Sequence, residues 1–179
     1  NTVSTGRGGS CWRRGIGWGG RSKMDTSNKS VENLVFSPIS YQWIAVKSSE
    51  NTAYSFPGAL TDYMKLNYRF PALYRWVITK TDGSIIYYLG ETDGLVPRRI
   101  YQYLNPGPRQ KTNQRLHAVF HQEIEEKSTI NLDYLSFSPF AIDNRQITQT
   151  SLSDPHMRRF LEELFTVLSQ MKGEVLLNK

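Results

Sequence analysis

Five cations between residues 98 and 115 form a basic patch with no acidic residue among them. They are Arg98, Arg99, Arg109, Lys111 and Arg115. Clustered arginine and lysine favour the phosphates of a nucleic acid, to which they bring charge and hydrogen-bond donors. A solvated helix face and loop would account for the same composition equally well. The patch therefore predicts phosphate binding where other residues nearby serve the same chemistry.

His117 and His121 are four residues apart in a stretch with helical periodicity, a spacing that can hold zinc. No second carboxylate or cysteine motif accompanies the pair. The only cysteine of the chain, Cys11, excludes both a thiolate zinc cage and an intramolecular disulfide. We therefore expect His117 to line a groove and to contact phosphate rather than a metal.

Most of the net charge of +6 lies at the N-terminus. Residues 1–30 hold six cations and one carboxylate, hence +5, and seven of the thirteen glycines, whereas the other 149 residues hold 16 basic and 15 acidic side chains. Such a glycine content is typical of a flexible arm, in which arginine and tryptophan can stack on bases. An unselected tail would look the same. Any binding groove in the near-neutral remainder must depend on local clustering.

Length and composition indicate one domain with an arm. The chain has 179 residues, of which 39% are hydrophobic, which is ample for a core and excludes a wholly disordered or fibrous protein. No apolar run approaches the roughly 18 residues of a membrane span, and the N-terminus lacks a hydrophobic signal segment. We expect a cytoplasmic protein without a membrane partner.

The clearest local signal is a β-hairpin. Residues 73–79 and 85–89 are rich in β-branched and aromatic side chains, and Asp82-Gly83 lies in the short segment that joins them. The other predicted elements are one or two strands in 31–46, helices at 59–68, 97–104 and 113–126, a strand at 129–137, a long loop at 138–154 and a short segment at 174–178.

The strongest predicted helix begins after Asp154-Pro155, an N-cap followed by proline at the first helical position. One apolar face follows it: Met157, Phe160, Leu161, Leu164, Phe165, Leu168 and Met171. Glu162 and Glu163 both fall off this face, so periodicity alone makes each an ordinary solvated residue.

Five short motifs in this order resemble those of the GIY-YIG nuclease superfamily. Ala72-Leu73-Tyr74 and Tyr88-Leu89-Gly90 on the two hairpin strands resemble its paired tripeptides. Residues 98–104 (RRIYQYL) resemble its Arg-x-x-x-Tyr/His-Leu helix. Leu161-Glu162-Glu163-Leu164 resembles its Leu-Glu helix, and Leu177-Asn178 its terminal asparagine. The resemblance covers about residues 70–179.

The chain departs from the family pattern in the first glycine, which is Ala72, and in both isoleucines, which are leucines. The linker between the tripeptides is slightly long. Arg98 lies at the family's usual distance from the glycine, whereas Arg99 fits the helical pattern. We assign the role to Arg99, because it lies four residues before Tyr103 and shares a helical face with it.

The resemblance implies specific roles. Tyr74, or a water on the metal, would act as the base, oriented by Tyr88, and Arg99 would bind the phosphate. A phenol needs cations to ionise at neutral pH, which Arg99 and a metal would supply. Glu162 would hold Mg²⁺ or Mn²⁺, since magnesium binds through one or two carboxylates plus substrate phosphate. The remaining implied catalytic residues are Tyr103 and Asn178, the latter as an amide that orients Glu162 or a water.

The fold that follows is α+β, GIY-YIG-like, with a small, mostly antiparallel, three-stranded sheet flanked by helices. Residues 71–179 would form the nuclease domain, residues 31–70 an N-terminal embellishment and residues 1–30 the arm. The expected function is metal-dependent cleavage of double-stranded DNA, as in type II restriction endonucleases, and a homodimer is compatible with it. A repair or homing nuclease, an inactive nucleic-acid-binding module of this fold and a protein-interaction domain are the alternatives.

Overall fold

The computed structural model describes residues 35–178. The arm expected over residues 1–30 and the first four residues of the predicted strand run at 31–46 lie outside this range. The strands are β1 (Tyr41–Ala45), β2 (Lys47–Ser49), β3 (Thr52–Ala53), β4 (Ala72–Thr79), β5 (Ile85–Thr92), β6 (Thr129–Phe137), β7 (Phe140–Ile142), β8 (Arg145–Ile147) and β9 (Val175–Leu176). The α-helices are α1 (Asp62–Asn67), α2 (Ile100–Leu104), α3 (Lys111–Glu125) and α4 (Pro155–Met171).

The predicted hairpin is confirmed as β4 and β5, which pair in antiparallel register from Ala72 opposite Thr92 to Thr79 opposite Ile85. Gly83 in its turn has a φ of 83°, the left-handed region that glycine adopts freely. This register places Tyr74 opposite Gly90 and Trp76 opposite Tyr88.

The main sheet has five strands in the order β1-β6-β4-β5-β9, so the α+β class is confirmed but the three-stranded sheet is wrong. The hairpin and β6 form the antiparallel centre. β1 adds an antiparallel edge beside β6, and β9 pairs with β5 in parallel, which makes the sheet mixed. Residues from 41 to 68 thus add β1 to the main sheet and contribute Val46, Tyr54, Phe56, Met64 and Tyr68 to the core.

One face of the sheet packs against α1, α2 and α3. Its core is strongly aromatic and contains Tyr54, Phe56, Tyr74, Trp76, Tyr88, Tyr103 and Phe120. The helix predicted at 97–104 is α2, preceded by a turn over Leu95–Arg99. The helix predicted at 113–126 is confirmed as α3, and its Leu116 and Phe120 are fully buried.

Helix α4 covers the opposite face of the sheet. Asp154 caps its N-terminus, as predicted, by accepting a hydrogen bond from the His156 amide. Leu161 and Phe165 are buried, but Phe160 and Met171 are exposed, so the predicted apolar face is too wide. The long loop predicted at 138–154 is also wrong, because it contains the β7–β8 hairpin and a helical turn over Gln149–Ser153. Between residues 35 and 178, no helix is long and apolar enough to cross a membrane.

Candidate active site

A hydrogen-bonded cluster of Tyr74, Tyr103 and Arg99 lies where β4 meets α2. Arg99 donates from Nε to the Tyr74 hydroxyl oxygen over 2.6 Å, and the hydroxyls of Tyr74 and Tyr103 are 2.7 Å apart. The guanidinium carbon of Arg99 also lies 4.9 Å from the centre of the Tyr103 ring. Tyr74 and Tyr103, which lie 29 positions apart in the sequence, therefore hold the guanidinium of Arg99 in place. We call these three residues the Tyr–Arg cluster.

The Tyr–Arg cluster depends on a glycine in the neighbouring strand. Gly90 faces Tyr74 across the hairpin, and a Cβ atom at Gly90 would lie 2.6 Å from Cζ of the Tyr74 ring and closer still to its hydroxyl. The hydroxyl is held by two hydrogen bonds and cannot easily retreat. Only glycine leaves Tyr74 in this position.

Tyr74 and Tyr103 are buried, with relative exposures of 1% and 0%. Burial is the main reason that the pKa of Tyr74 lies well above the ordinary tyrosine value, although Arg99 opposes the shift. Burial likewise raises the pKa of Tyr103. Both phenols are therefore neutral at about pH 7, and both are shielded from solvent. Tyr74, expected as the base, instead holds Arg99.

Tyr88 is the tyrosine of the site that reaches a groove. It is 7% exposed, its ring centre lies 6.4 Å from that of Tyr103, and it lines two concavities at the surface. Burial raises the pKa of Tyr88 as well, and the charge of Glu162 adds to the shift. Tyr88 thus presents a neutral phenol within electrostatic reach of Glu162.

Glu162 projects from α4 and is half-buried, whereas Glu163 is exposed. Burial, together with the negative charges of Glu91 and Glu163, raises the pKa of Glu162 to about 7, and Arg99 and Arg159 partly oppose the shift. A neighbouring cation would stabilise the ionised form of a carboxyl group in such surroundings. Of the two glutamates in the motif, Glu162 is the half-buried one, and its charge acts on the pKa of Tyr88.

Three adjoining concavities form one groove along this site. The middle one, about 570 Å³, is lined by Tyr88 and Arg99, and by Gln102, Arg109, Gln110, Lys111, Thr112 and Asn113. It shares Tyr88, Lys111 and Thr112 with a concavity of about 380 Å³ that reaches Arg115 and Asn178. It shares Arg99 and Gln102 with one of about 240 Å³ that reaches Glu91, Asp93, Arg98 and Arg158. We call the end at Arg115 and Asn178 the cation end, and the end at Glu91 and Asp93 the carboxylate end.

The predicted basic residues divide between the ends of the groove. Arg98 lies at the carboxylate end, with 67% of its side chain exposed and an ion pair of 2.8 Å to Asp93. Arg109, Lys111 and Arg115 line the middle concavity and the cation end. Arg99 is joined to Tyr74 and Arg98 is not, in keeping with the assignment of Arg99 to the site.

Two residues expected at the site make structural contacts instead. The Asn178 side chain bonds both backbone groups of Leu89, accepting from its N–H over 2.8 Å and donating to its carbonyl over 2.9 Å, so it extends the β5–β9 pairing rather than orienting Glu162. His117 Nδ1 lies 2.8 Å from the Tyr103 carbonyl oxygen. Because a carbonyl accepts only, Nδ1 is the donor. His117 braces α2 and does not line the groove with the cations.

Three residues of the site were not predicted from the sequence. Gln102 accepts a hydrogen bond of 3.0 Å from Arg99 and lines the groove, and its position three residues after Arg99 on a helix could have indicated it. Arg158 donates to Glu91 over 2.6 Å and to the Leu152 carbonyl over 2.8 Å. No local pattern links Glu91 to Arg158, because they are 67 positions apart.

Glu162 is the carboxylate of the site that could hold a metal ion. Among residues 35–178, no three side chains of His, Cys, Asp or Glu form a metal-binding group. A half-buried single carboxylate such as Glu162 matches Mg²⁺ or Mn²⁺, which keep several waters and complete their shells with substrate phosphate oxygens. The residues present fit such an ion and not a zinc cage.

The chain was compared with protein-family models, curated proteins and solved structures, and none of them matches it.

Proposed function

We propose that the protein is a metal-dependent DNA endonuclease with a GIY-YIG-like catalytic core, of the type II restriction kind. The central hairpin with β6 would be the three-stranded core of that fold, and β1 and β9 its additions. A cytoplasmic location and a homodimer on a two-fold symmetric DNA site belong to the same proposal.

The observation that carries the proposal is the position of Arg99. Its guanidinium is fixed by the buried Tyr74 and by Gln102, yet it forms part of the groove wall beside Tyr88. A preorganised arginine at a surface groove stabilises charge that develops on phosphoryl oxygens, since it needs no rearrangement during the reaction. A purely structural arginine would have no need of the adjoining row of cations.

Hydrolysis joins a water oxygen to phosphorus and breaks one P–O ester bond, while the water loses a proton and the leaving oxygen gains one. Arg99 would bind the scissile phosphate through its planar fork. The neutral phenol of Tyr88 would orient the attacking water or donate to a phosphoryl oxygen. Glu162 would hold Mg²⁺, which would supply further charge neutralisation at the phosphate. Tyr74 and Tyr103 would position Arg99.

An inactive DNA-binding module of the same fold is the second candidate. The burial of Tyr74 favours it, because the phenol expected as the base does not reach the groove. The two candidates share the groove and differ only in turnover.

Incubation of supercoiled plasmid with the full chain tests the proposal. With Mg²⁺ or Mn²⁺ we expect nicked and linear products, and with EDTA none. Glu162→Gln should abolish cleavage and leave DNA binding intact, whereas the matched variant Glu163→Gln should cut normally. Binding without cleavage under all metal conditions would favour the inactive module, and neither binding nor cleavage would contradict both.

A further inference from the structure

The two ends of the groove differ in how their cations are balanced. At the carboxylate end, Arg158 is paired with Glu91 at 2.6 Å and Arg98 with Asp93 at 2.8 Å. Each arginine is paired with a carboxylate, so the net charge of these four side chains is zero.

In the middle concavity and at the cation end, none of the lining residues is a carboxylate that could balance the cations. Arg109 and Lys111 are exposed and form no ion pair with any residue in the described range 35–178. Arg115 donates a hydrogen bond to the Leu177 carbonyl over 3.4 Å, and no carboxylate between residues 35 and 178 pairs with it. Apart from Arg99, the other residues that line the middle concavity and the cation end are uncharged, so these three cations add a charge of +3 there, and the carboxylate end has no such excess.

We propose that the groove holds the substrate strand asymmetrically. Arg109, Lys111 and Arg115 bind backbone phosphates on a single side of the scissile one, and the carboxylate end receives an uncharged part of the substrate, such as sugar or base. This inference deepens the proposed function and relies on it for the scissile phosphate at Arg99. A phosphate at the carboxylate end would have to displace Asp93 from Arg98 and lie close to Glu91, whereas one at the cation end displaces only counterions.

Salt dependence of binding tests the asymmetry without any cleavage. The variants are Arg109→Ala, Lys111→Ala and Arg98→Ala, all of exposed arginine or lysine side chains whose loss leaves the core intact. Their affinity for a short DNA duplex is measured by fluorescence anisotropy in EDTA over a range of salt concentrations. Each phosphate contact contributes about 0.9 to the slope of log K against log salt. We expect Arg109→Ala and Lys111→Ala each to flatten the slope by about that amount, and Arg98→Ala to leave it unchanged. Arg145→Ala, on β8, is the control for loss of a cation elsewhere.

Equal flattening by Arg98→Ala and Lys111→Ala would overturn the inference, and so would unchanged slopes in both cation-end variants. Methylphosphonates placed on either side of a mapped cleavage position give a second test. Neutralising the phosphate on one side should slow wild-type cleavage, and Lys111→Ala should have lost most of that sensitivity. A chain that binds with the expected slopes but never cuts in Mg²⁺ contradicts the proposed endonuclease and not the asymmetry. A chain that cuts DNA, but whose cleavage is slowed equally by a methylphosphonate on either side, contradicts the asymmetry and not the proposed endonuclease.

Discussion

At the scale of single residues, Glu162 couples the site to pH. Its folded pKa of about 7 lies above the ordinary value of 4.5, so the folded protein binds more protons than the unfolded chain between these values. Stability is therefore greatest below the lower value and falls as the pH rises through the higher one. In metal-free solution, Glu162→Gln should match the wild type near about pH 5 and exceed it near about pH 8, by on the order of 1 kcal/mol once solvent screening is allowed for.

Urea unfolding in EDTA at the two pH values measures this difference, which should be smaller in Glu163→Gln, because that variant removes only one of the charges that raise the pKa of Glu162. Mg²⁺ added at the higher pH should raise the Tm of the wild type and not that of Glu162→Gln, because a cation offsets the cost of ionisation. The assignment of Glu162 as the metal carboxylate would fail if both proteins responded equally to Mg²⁺.

The pH dependence of cleavage should follow the same group. At limiting Mg²⁺, kcat/KM should rise to a plateau with a midpoint near about pH 7, and the midpoint should move lower as Mg²⁺ is increased, since the ion favours the carboxylate. Tyr88→Phe should lower the plateau without moving the midpoint. A rate that still climbs above about pH 9 would instead assign the step to a tyrosine, contrary to the raised pKa values of Tyr74 and Tyr88.

The sequence could pair Arg99 with Tyr103, since four positions on a helix are enough to predict a shared face. It could not predict which phenols are buried. Strand β4 is covered on both faces, so its pattern of alternating residues does not show that Tyr74 lies under α2 while Tyr88, on the next strand, opens onto the groove. That distinction depends on contacts between residues far apart in the chain.

At the scale of elements, the close approach of Gly90 to Tyr74 across the hairpin sets the position of Arg99. Gly90→Ala should displace the Tyr74 ring, break its bond to Arg99 and reduce cleavage by at least about tenfold, with a loss of roughly 1–3 kcal/mol in stability from overpacking. Gly94→Ala is the matched control, because a Cβ there meets nothing within 4 Å. Urea unfolding and plasmid cleavage measure both effects. Full activity in Gly90→Ala would show that Arg99 does not need Tyr74.

The hairpin, β6 and α4 could be read from local patterns, because each has a strong turn, alternation or cap of its own. The edges of the sheet could not be predicted from local patterns. β1 pairs with β6 about ninety positions later, and β9 is two residues long, too short for any period to show. The sequence therefore predicted the centre of the sheet and a strand in the region of β1, but neither the pairing of β1 with β6 nor the strand β9.

At the scale of the whole molecule, the charge of the N-terminal arm and the charge of the groove are separate quantities. Residues 1–30 carry a net charge of +5 and none of the motif positions, and they lie outside the described range. The groove has its own cations and holds Arg99 through contacts made entirely within residues 74–103. The arm can therefore add affinity for DNA without positioning the scissile phosphate.

Deletion of residues 1–30 should weaken non-specific DNA binding and flatten the slope of log K against log salt by a few units, since each phosphate that the arm neutralises adds about 0.9. Combined with Lys111→Ala, the two losses of slope should add, because they arise from different phosphates. The mapped cleavage positions should stay the same. An unchanged slope would show that the arm does not contact DNA, and altered cleavage positions would show that it reads sequence, for which a glycine-rich segment is poorly suited, because ordering it in one conformation costs much backbone entropy.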